Sequence, residues 1–278
     1  MKLRKIRSVL ALFCVPACVG TTGGRIIDFD AAAAGPKDAN GELTFGIEIT
    51  NGTRWNVDLT KATLHVGAVY LDDSLPVSGA QNTACILPGT YVAEVTTGLD
   101  VNLLSNTPQH FPSRGHGTTL GVQSAQVWLT RGDVDTIADP SPYPILDVEG
   151  TASLDSDVRP FAGHITISNN RSNTAGYFPG AYPICKQRIV SPIPTTVGVQ
   201  PTGGLLLTID PRQLFNNVDF GQLAKVSDSY VFSDEPSDSD PSSRTFYSQP
   251  SANLYSNLMS AGSMNGPNLY SFQWDPKL

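Results

Sequence analysis

Residues 43–50 read Leu-Thr-Phe-Gly-Ile-Glu-Ile-Thr (LTFGIEIT), and every second position is apolar. In an extended chain successive side chains point to opposite faces, so Leu43, Phe45, Ile47 and Ile49 fall on one side. A helix of 3.6 residues per turn brings no such set together. The stretch therefore reads as a half-buried strand, and the fold depends on whether the rest of the chain keeps the same period.

It does, in short runs bounded by Gly, Pro, Asn and Asp. ATLHVGAVYL (62–71) groups Leu64, Val66, Ala68 and Tyr70, leaving His65 on the opposite face with Thr63, Gly67 and Val69. YVAEVTTGLDVNLL (91–104), AQVWLT (125–130), ILDVEGTASL (145–154), GHITISN (163–169) and GLLLTID (204–210) continue the series, and Trp55 in GTRWNV opens another. NLYSFQWDP (268–276) places Tyr270, Phe272 and Trp274 opposite Leu269, Ser271 and Gln273. Twenty-five glycines and twenty-one prolines punctuate the 278 residues, and no repeat of solenoid or propeller period is present. Many short strands without intervening helices predict a mostly β, antiparallel sandwich-like or barrel-like domain.

Two short helices are expected near the C-terminus. Asp210 caps DPRQLFNN with Pro211 at the first helical position, where a missing N–H costs nothing. SANLYSNLMSAG is expected to start at Ser251 and stop at Gly262, with Leu254, Leu258 and Met259 on one side. Between them, residues 227–244 are serine, aspartate and proline with few apolar groups, which predicts a flexible acidic loop.

The N-terminus has a different character. MKLRKIR carries Lys2, Arg4, Lys5 and Arg7, and Val9 to Val19 is almost wholly apolar before Gly20. A cationic start followed by about eleven apolar residues is a secretory signal layout; a membrane-crossing helix needs roughly twenty. Without those four cations the chain carries fourteen Lys and Arg against twenty-five acids, a net charge near −11. The cations are scattered, which excludes nucleic acid as a partner.

Val15-Pro16-Ala17-Cys18 resembles the lipobox of bacterial lipoproteins: an aliphatic residue three before a cysteine and a small residue immediately before it. The resemblance covers some twenty residues. It implies cleavage after residue 17, a diacylglycerol on the Cys18 sulfur and an acylated amine, with residues 18–24 as a lipidated tether and 25–278 as the β-rich domain. Cys14 is the second candidate, but it is preceded by the bulky Phe13. Two or three acyl chains anchor firmly where one binds reversibly. Val19 follows Cys18, which by the family's sorting pattern implies the outer membrane, facing the periplasm or the cell exterior.

Cys85 and Cys185 remain after cleavage. In an oxidising compartment two remaining cysteines most simply pair, the alternative being thiolate ligands to a metal. His65, His110, His116 and His164 all lie within one hundred residues and invite a metal reading, with His110 and His116 read as parts of one loop, QHFPSRGHG. Ordinary surface or half-buried roles are the competing reading, since no HExxH or similar spacing supports a site. Asp133, Asp135 and Asp139 offer alternating carboxylates of a kind that suits calcium, without the closing Glu of an EF-hand.

Catalytic signals are weak. No GxSxG is present, the cysteines are acylated or paired, and acid pairs such as Asp72 and Asp73 or Asp155 and Asp157 carry no spacing information. RGHG offers glycine amides to an anion with little specificity. Trp128 reads as core, and Trp55 as core or as an exposed stacking platform. The sequence thus describes a membrane-anchored envelope lipoprotein with a noncatalytic binding or structural role, its partner an envelope protein or small ligand. A histidine-based metal-binding accessory protein for envelope uptake is the alternative, and a hydrolase the third reading. No cofactor is identified by any motif.

Overall fold

The computed structural model describes residues 24–75, 90–130, 144–166, 189–232, 249–263 and 266–278. They form two sheets. The first has nine strands in the order β12 (Ile189–Pro194), β9 (Ser124–Trp128), β4 (Ala68–Asp72), β5 (Tyr91–Val95), β8 (Gly115–Thr118), β1 (Ile26–Ala34), β13 (Gly204–Ile209) and β16 (Tyr270–Asp275), with β7 (Gln109–His110) also on β1. The second has seven: β14 (Ala224–Val226), β15 (Ser229–Phe232), β11 (Asp157–Thr166), β10 (Pro144–Leu154), β3 (Arg54–Val66) and β2 (Leu43–Glu48), with β6 (Leu99–Asn102) also on β3. Pairing is antiparallel except between β1 and β13 and between β11 and β15. The chain is therefore mostly β, as the alternation predicts.

One core cluster draws on both sheets, with Phe29, Val127 and Leu205 from the first and Leu64, Val148 and Phe161 from the second. Its densest part is aromatic. Phe161 has ring centroids 5.8, 5.1 and 5.7 Å from Phe215, Phe220 and Phe232, and Trp55 lies 5.8 Å from Phe220. Trp55 is thus a core residue with 2% of its surface exposed, which removes it as a stacking platform. The Arg159 guanidinium stands over the rings of Trp55 and Tyr230 at 5.5 and 4.9 Å and binds Asp157 at 2.8 Å.

The run 62–71 does not keep one face. Leu64 and Val66 point into the main core, but beyond Gly67 it is Val69 and Leu71 that do so, while Ala68 and Tyr70 join Trp128 and Ile189 in a separate cluster. Gly67 is where the chain leaves one sheet for the other. Its N–H donates to the Trp128 carbonyl at 2.7 Å, and a Cβ there would meet the Thr130 carbonyl oxygen at 2.2 Å. Strict alternation across this glycine assigns the wrong face to everything after it.

The helical pieces are short. Pro211–Phe215 is a 3-10 turn whose cap, Asp210, accepts from the Arg212 N–H at 3.1 Å. The α-helix α1 spans Gln249–Leu258, so Ser251 lies buried within its first turn and is not its cap. Leu254 and Leu258 are fully buried, Tyr270 Oη donates to the Leu258 carbonyl at 3.0 Å, and Gly262 takes φ +74° beyond the end. The stretch expected as an acidic loop from 227 onward begins as structure: Ser229–Phe232 is a strand beside β11, and Phe232 is 2% exposed. Backbone pairing on both sides and the buried Phe232 ring hold that segment on the sheet. Residues 233–244 of that stretch lie outside the described residues. No helix among the described residues is long and apolar enough to cross a membrane.

Candidate functional site

The nine-stranded sheet has a second face, turned away from the main core, and its register builds a continuous row of polar and aromatic side chains. Gln126 of β9 pairs with Tyr70 of β4, Tyr70 with Glu94 of β5, Glu94 with His116 of β8, and His116 with Asp28 of β1. Partners in register carry their side chains on one face. The row runs from buried Gln126 and Tyr70 to exposed Glu94, His116 and Asp28. Tyr70 stacks at 5.0 Å on Tyr91 and 5.2 Å on Trp128, in tilted geometries that favour ring edges on ring faces.

Beside that row lies a buried relay. Trp128 Nε1 donates to Gln126 Oε1 at 3.1 Å, and Gln126 Nε2 donates to Asp72 Oδ2 at 3.0 Å. Each link fixes the next, because the indole donates only and so orients the amide. Asp72 is fully covered, and its second oxygen, Oδ1, has no hydrogen-bond partner among the described residues. Burial pushes the Asp72 carboxyl up to about 6; the bond from Gln126 pulls it down, and the neighbouring Asp73 charge adds to the rise. A covered carboxylate with one unsatisfied oxygen costs on the order of 1–3 kcal/mol or more. Sequence reasoning placed Asp72 beside Asp73 as a possible acid pair; the register separates their roles and gives Asp72 a glutamine partner.

The histidines divide between the sheets. His65 on β3 pairs in register with Asp100 on β6, and its Nδ1 lies 2.8 Å from Asp100 Oδ1. Its ring is buried, and a Cβ on Gly98 would meet His65 Nε2 at 2.8 Å, so the backbone of that glycine covers the other edge. His164, exposed on β11, stands opposite Asp147. His116 Nδ1 is 2.8 Å from Asp28 Oδ1, and His110 is exposed on β7 opposite Ala32. Among the described residues no three His, Cys, Asp or Glu side chains form a group able to hold a metal ion. The expected four-histidine set His65, His110, His116 and His164 is therefore not brought together.

QHFPSRGHG is two strands and a turn where a loop was expected. The glycines of RGHG are there for contact: a Cβ on Gly115 would meet the Phe29 ring at 2.3 Å, and one on Gly117 the Ala93 Cβ at 2.5 Å. The motif thus brings β8 tightly against β1 and β5. Asp157 is engaged by Arg159, so Asp155 and Asp157 are not a free acid pair. Cys14, Cys18, Cys85, Cys185, Asp133, Asp135 and Asp139 lie outside the described residues.

No protein-family model matches the sequence, and no curated protein is similar to it. Among solved structures, MbnP from Methylosinus trichosporium is similar at 11% identity and a TM-score of 0.33, over 89% of this chain and 98% of that chain. A likeness at that level carries no argument about function.

Proposed function

We propose that this chain is an exported bacterial lipoprotein, acylated at Cys18 and noncatalytic, that binds a ligand or envelope partner through the second face of its nine-stranded sheet. The observation that carries the reading is the buried Oδ1 of Asp72, which has no partner among the described residues. A fold rarely keeps an unsatisfied buried carboxylate oxygen for its own stability, because nearly all buried polar groups are paired. What answers such an oxygen is an N–H or O–H donor or a cation. The aromatic rings of Tyr70, Tyr91 and Trp128 beside it suit an organic cation, whose charge is attracted to ring faces. The partner chemistry is therefore a small amine, a guanidinium, or a protein side chain carrying one.

The full chain is tested by thermal melting at pH 7.5 with methylammonium, guanidinium and divalent metal salts against sodium chloride at equal ionic strength. The reading expects one class of amine or guanidinium to raise the melting temperature of the parent chain and not of Asp72→Asn. Equal responses of both chains contradict it. In the same preparation Cys85 and Cys185, both facing an oxidising compartment after export, are expected as one disulfide; a bridge closing a loop of about a hundred residues contributes roughly 4–5 kcal/mol in the chain-entropy model.

One observation favours a second reading. His116 holds its Nδ1 against Asp28, the carboxylate–imidazole arrangement that orients metal-binding histidines with Nε2 outward. Metal analysis of the purified chain, with His65, His110, His116 and His164 each changed to Ala, decides it. Stoichiometric copper, zinc or iron lost on His116→Ala would move the binding site from Asp72 to His116.

A further inference from the structure

Four of the large apolar side chains exposed among the described residues gather at one end of one sheet. Ile26 is 68% exposed, Leu75 54%, Tyr91 38% and Leu120 38%. The row Tyr70, Glu94, His116 and Asp28 fixes their level. Ile26 lies two residues before Asp28, and its partner Thr118 leads into Leu120. Tyr91 pairs with Asp72, two residues past Tyr70, and the Asp73 N–H donates to the Thr90 carbonyl at 3.1 Å just before Leu75. All four therefore stand on the same side of that row: Ile26 and Tyr91 on β1 and β5, and Leu120 and Leu75 just past the ends of the neighbouring strands β8 and β4. With strands about 4.8 Å apart, they make an apolar rim roughly 15 Å wide.

The same end receives the chain from the N-terminus. Arg25 donates its N–H to Thr119 Oγ1 at 2.9 Å, and the Thr119 N–H donates to the Arg25 carbonyl at 3.0 Å. Cys18 lies six residue steps before Gly24, and six steps fully extended reach only about 21 Å. An acyl anchor on Cys18 thus keeps this end within about 21 Å of the lipid surface.

We infer that the rim of Ile26, Leu75, Tyr91 and Leu120 is a membrane-contact edge that rests on the lipid surface and sets the orientation of the anchored domain. The inference rests on acylation of Cys18. Its occupant is a bilayer and not a protein partner because the tether ends at the rim, and exposed apolar groups near a bilayer gain by entering its interface. A net charge near −11 makes attraction to anionic headgroups a poor holding force, so apolar contact carries the edge. With the second face of the sheet then standing on edge above the lipid, Asp72 and the Tyr70 cluster sit next to the surface and not far from it.

The test uses the acylated full chain in phosphatidylcholine vesicles, with bimane attached at Ile26→Cys, Leu120→Cys or Val226→Cys and a nitroxide on the lipid headgroup. Val226, 57% exposed on the other sheet, is the reference position, and the unsubstituted chain is the labelling blank. Melting temperatures confirm that each variant folds. The expected result is at least twofold stronger quenching at positions 26 and 120 than at 226. Equal quenching at all three positions, with sedimentation showing the chain on vesicles, overturns the edge while leaving the anchor intact. Blue-shifted bimane emission at 26 and 120 without lipid quenching assigns the rim to a protein partner or second copy and also overturns it. A chain that neither carries acyl groups nor sediments with vesicles overturns the edge and the anchor together.

Discussion

Asp72 gives the sharpest prediction. Its carboxyl is pushed from the ordinary 3.8 up to about 6 in the folded chain, chiefly by burial. Between those values the folded state holds a proton that the unfolded state has lost. The contribution of this group is thus fully present below about pH 3.8 and declines as pH rises through 6. Tenfold in protonation corresponds to about 1.4 kcal/mol, which gives a loss on the order of 2 kcal/mol between pH 4 and pH 7. Asp72 is fully covered yet lies at the outer face of a sheet, so that figure is an upper estimate. In a chain of this size 1 kcal/mol moves the melting temperature by about 2–4 °C, so the effect is roughly 4–8 °C.

Asp72→Asn keeps the size and the acceptor for Gln126 while removing the titration. The other ionisable groups are common to both chains and cancel in the comparison. The assay is differential scanning calorimetry of parent and variant from pH 4 to pH 7. Relative to the parent, the variant is expected to gain about 4–8 °C over that interval. A difference between the two chains that does not change with pH would refute the assignment of Asp72 as a covered carboxylate raised by burial.

Other consequences follow from the packing. Gly115→Ala forces a methyl into the Phe29 ring and is expected to lower stability by about 1–3 kcal/mol, read from the thermal midpoint. Phe161→Ala removes a ring packed against Phe215, Phe220 and Phe232 and is expected to cost about 3–5 kcal/mol, measured by urea unfolding. His65→Ala removes a buried ring and its bond to Asp100 and is expected to destabilise by about 1–3 kcal/mol, whereas His110→Ala on an exposed edge should change stability by under about 0.5 kcal/mol.

The fold was legible where strands use branched or aromatic residues, as in β2, β9, β10, β13 and β16. It was illegible where the chemistry is small. β1 reads IIDFDAAAA, and four alanines give no β signal, yet Ala31 to Ala34 are all buried because neighbouring strands and both faces close on them. β8 reads GHGT and resembles a loop for the same reason: its glycines exist so that Phe29 and Ala93 can approach. Gly67 inverts the face of β4, and no periodicity announces such a switch. At the site, Trp128 and Tyr70 were visible as strand aromatics, but Gln126 carries no signal by itself. The coupling of Asp72 to Gln126 depends on a register between strands more than fifty residues apart in sequence, |i−j| = 54. Histidines close in sequence suggested a common site; sheet order separates His65 and His164 from His110 and His116.

The attachment of the chain is the claim on which its orientation and its contact with lipid depend. Mass spectrometry of the N-terminal peptide, taken from protein recovered from its native host, tests it most directly. The account predicts a mature chain that begins at Cys18 and carries a diacylglycerol on sulfur with an acylated amine. A mature chain that begins elsewhere and bears no acyl group would contradict it.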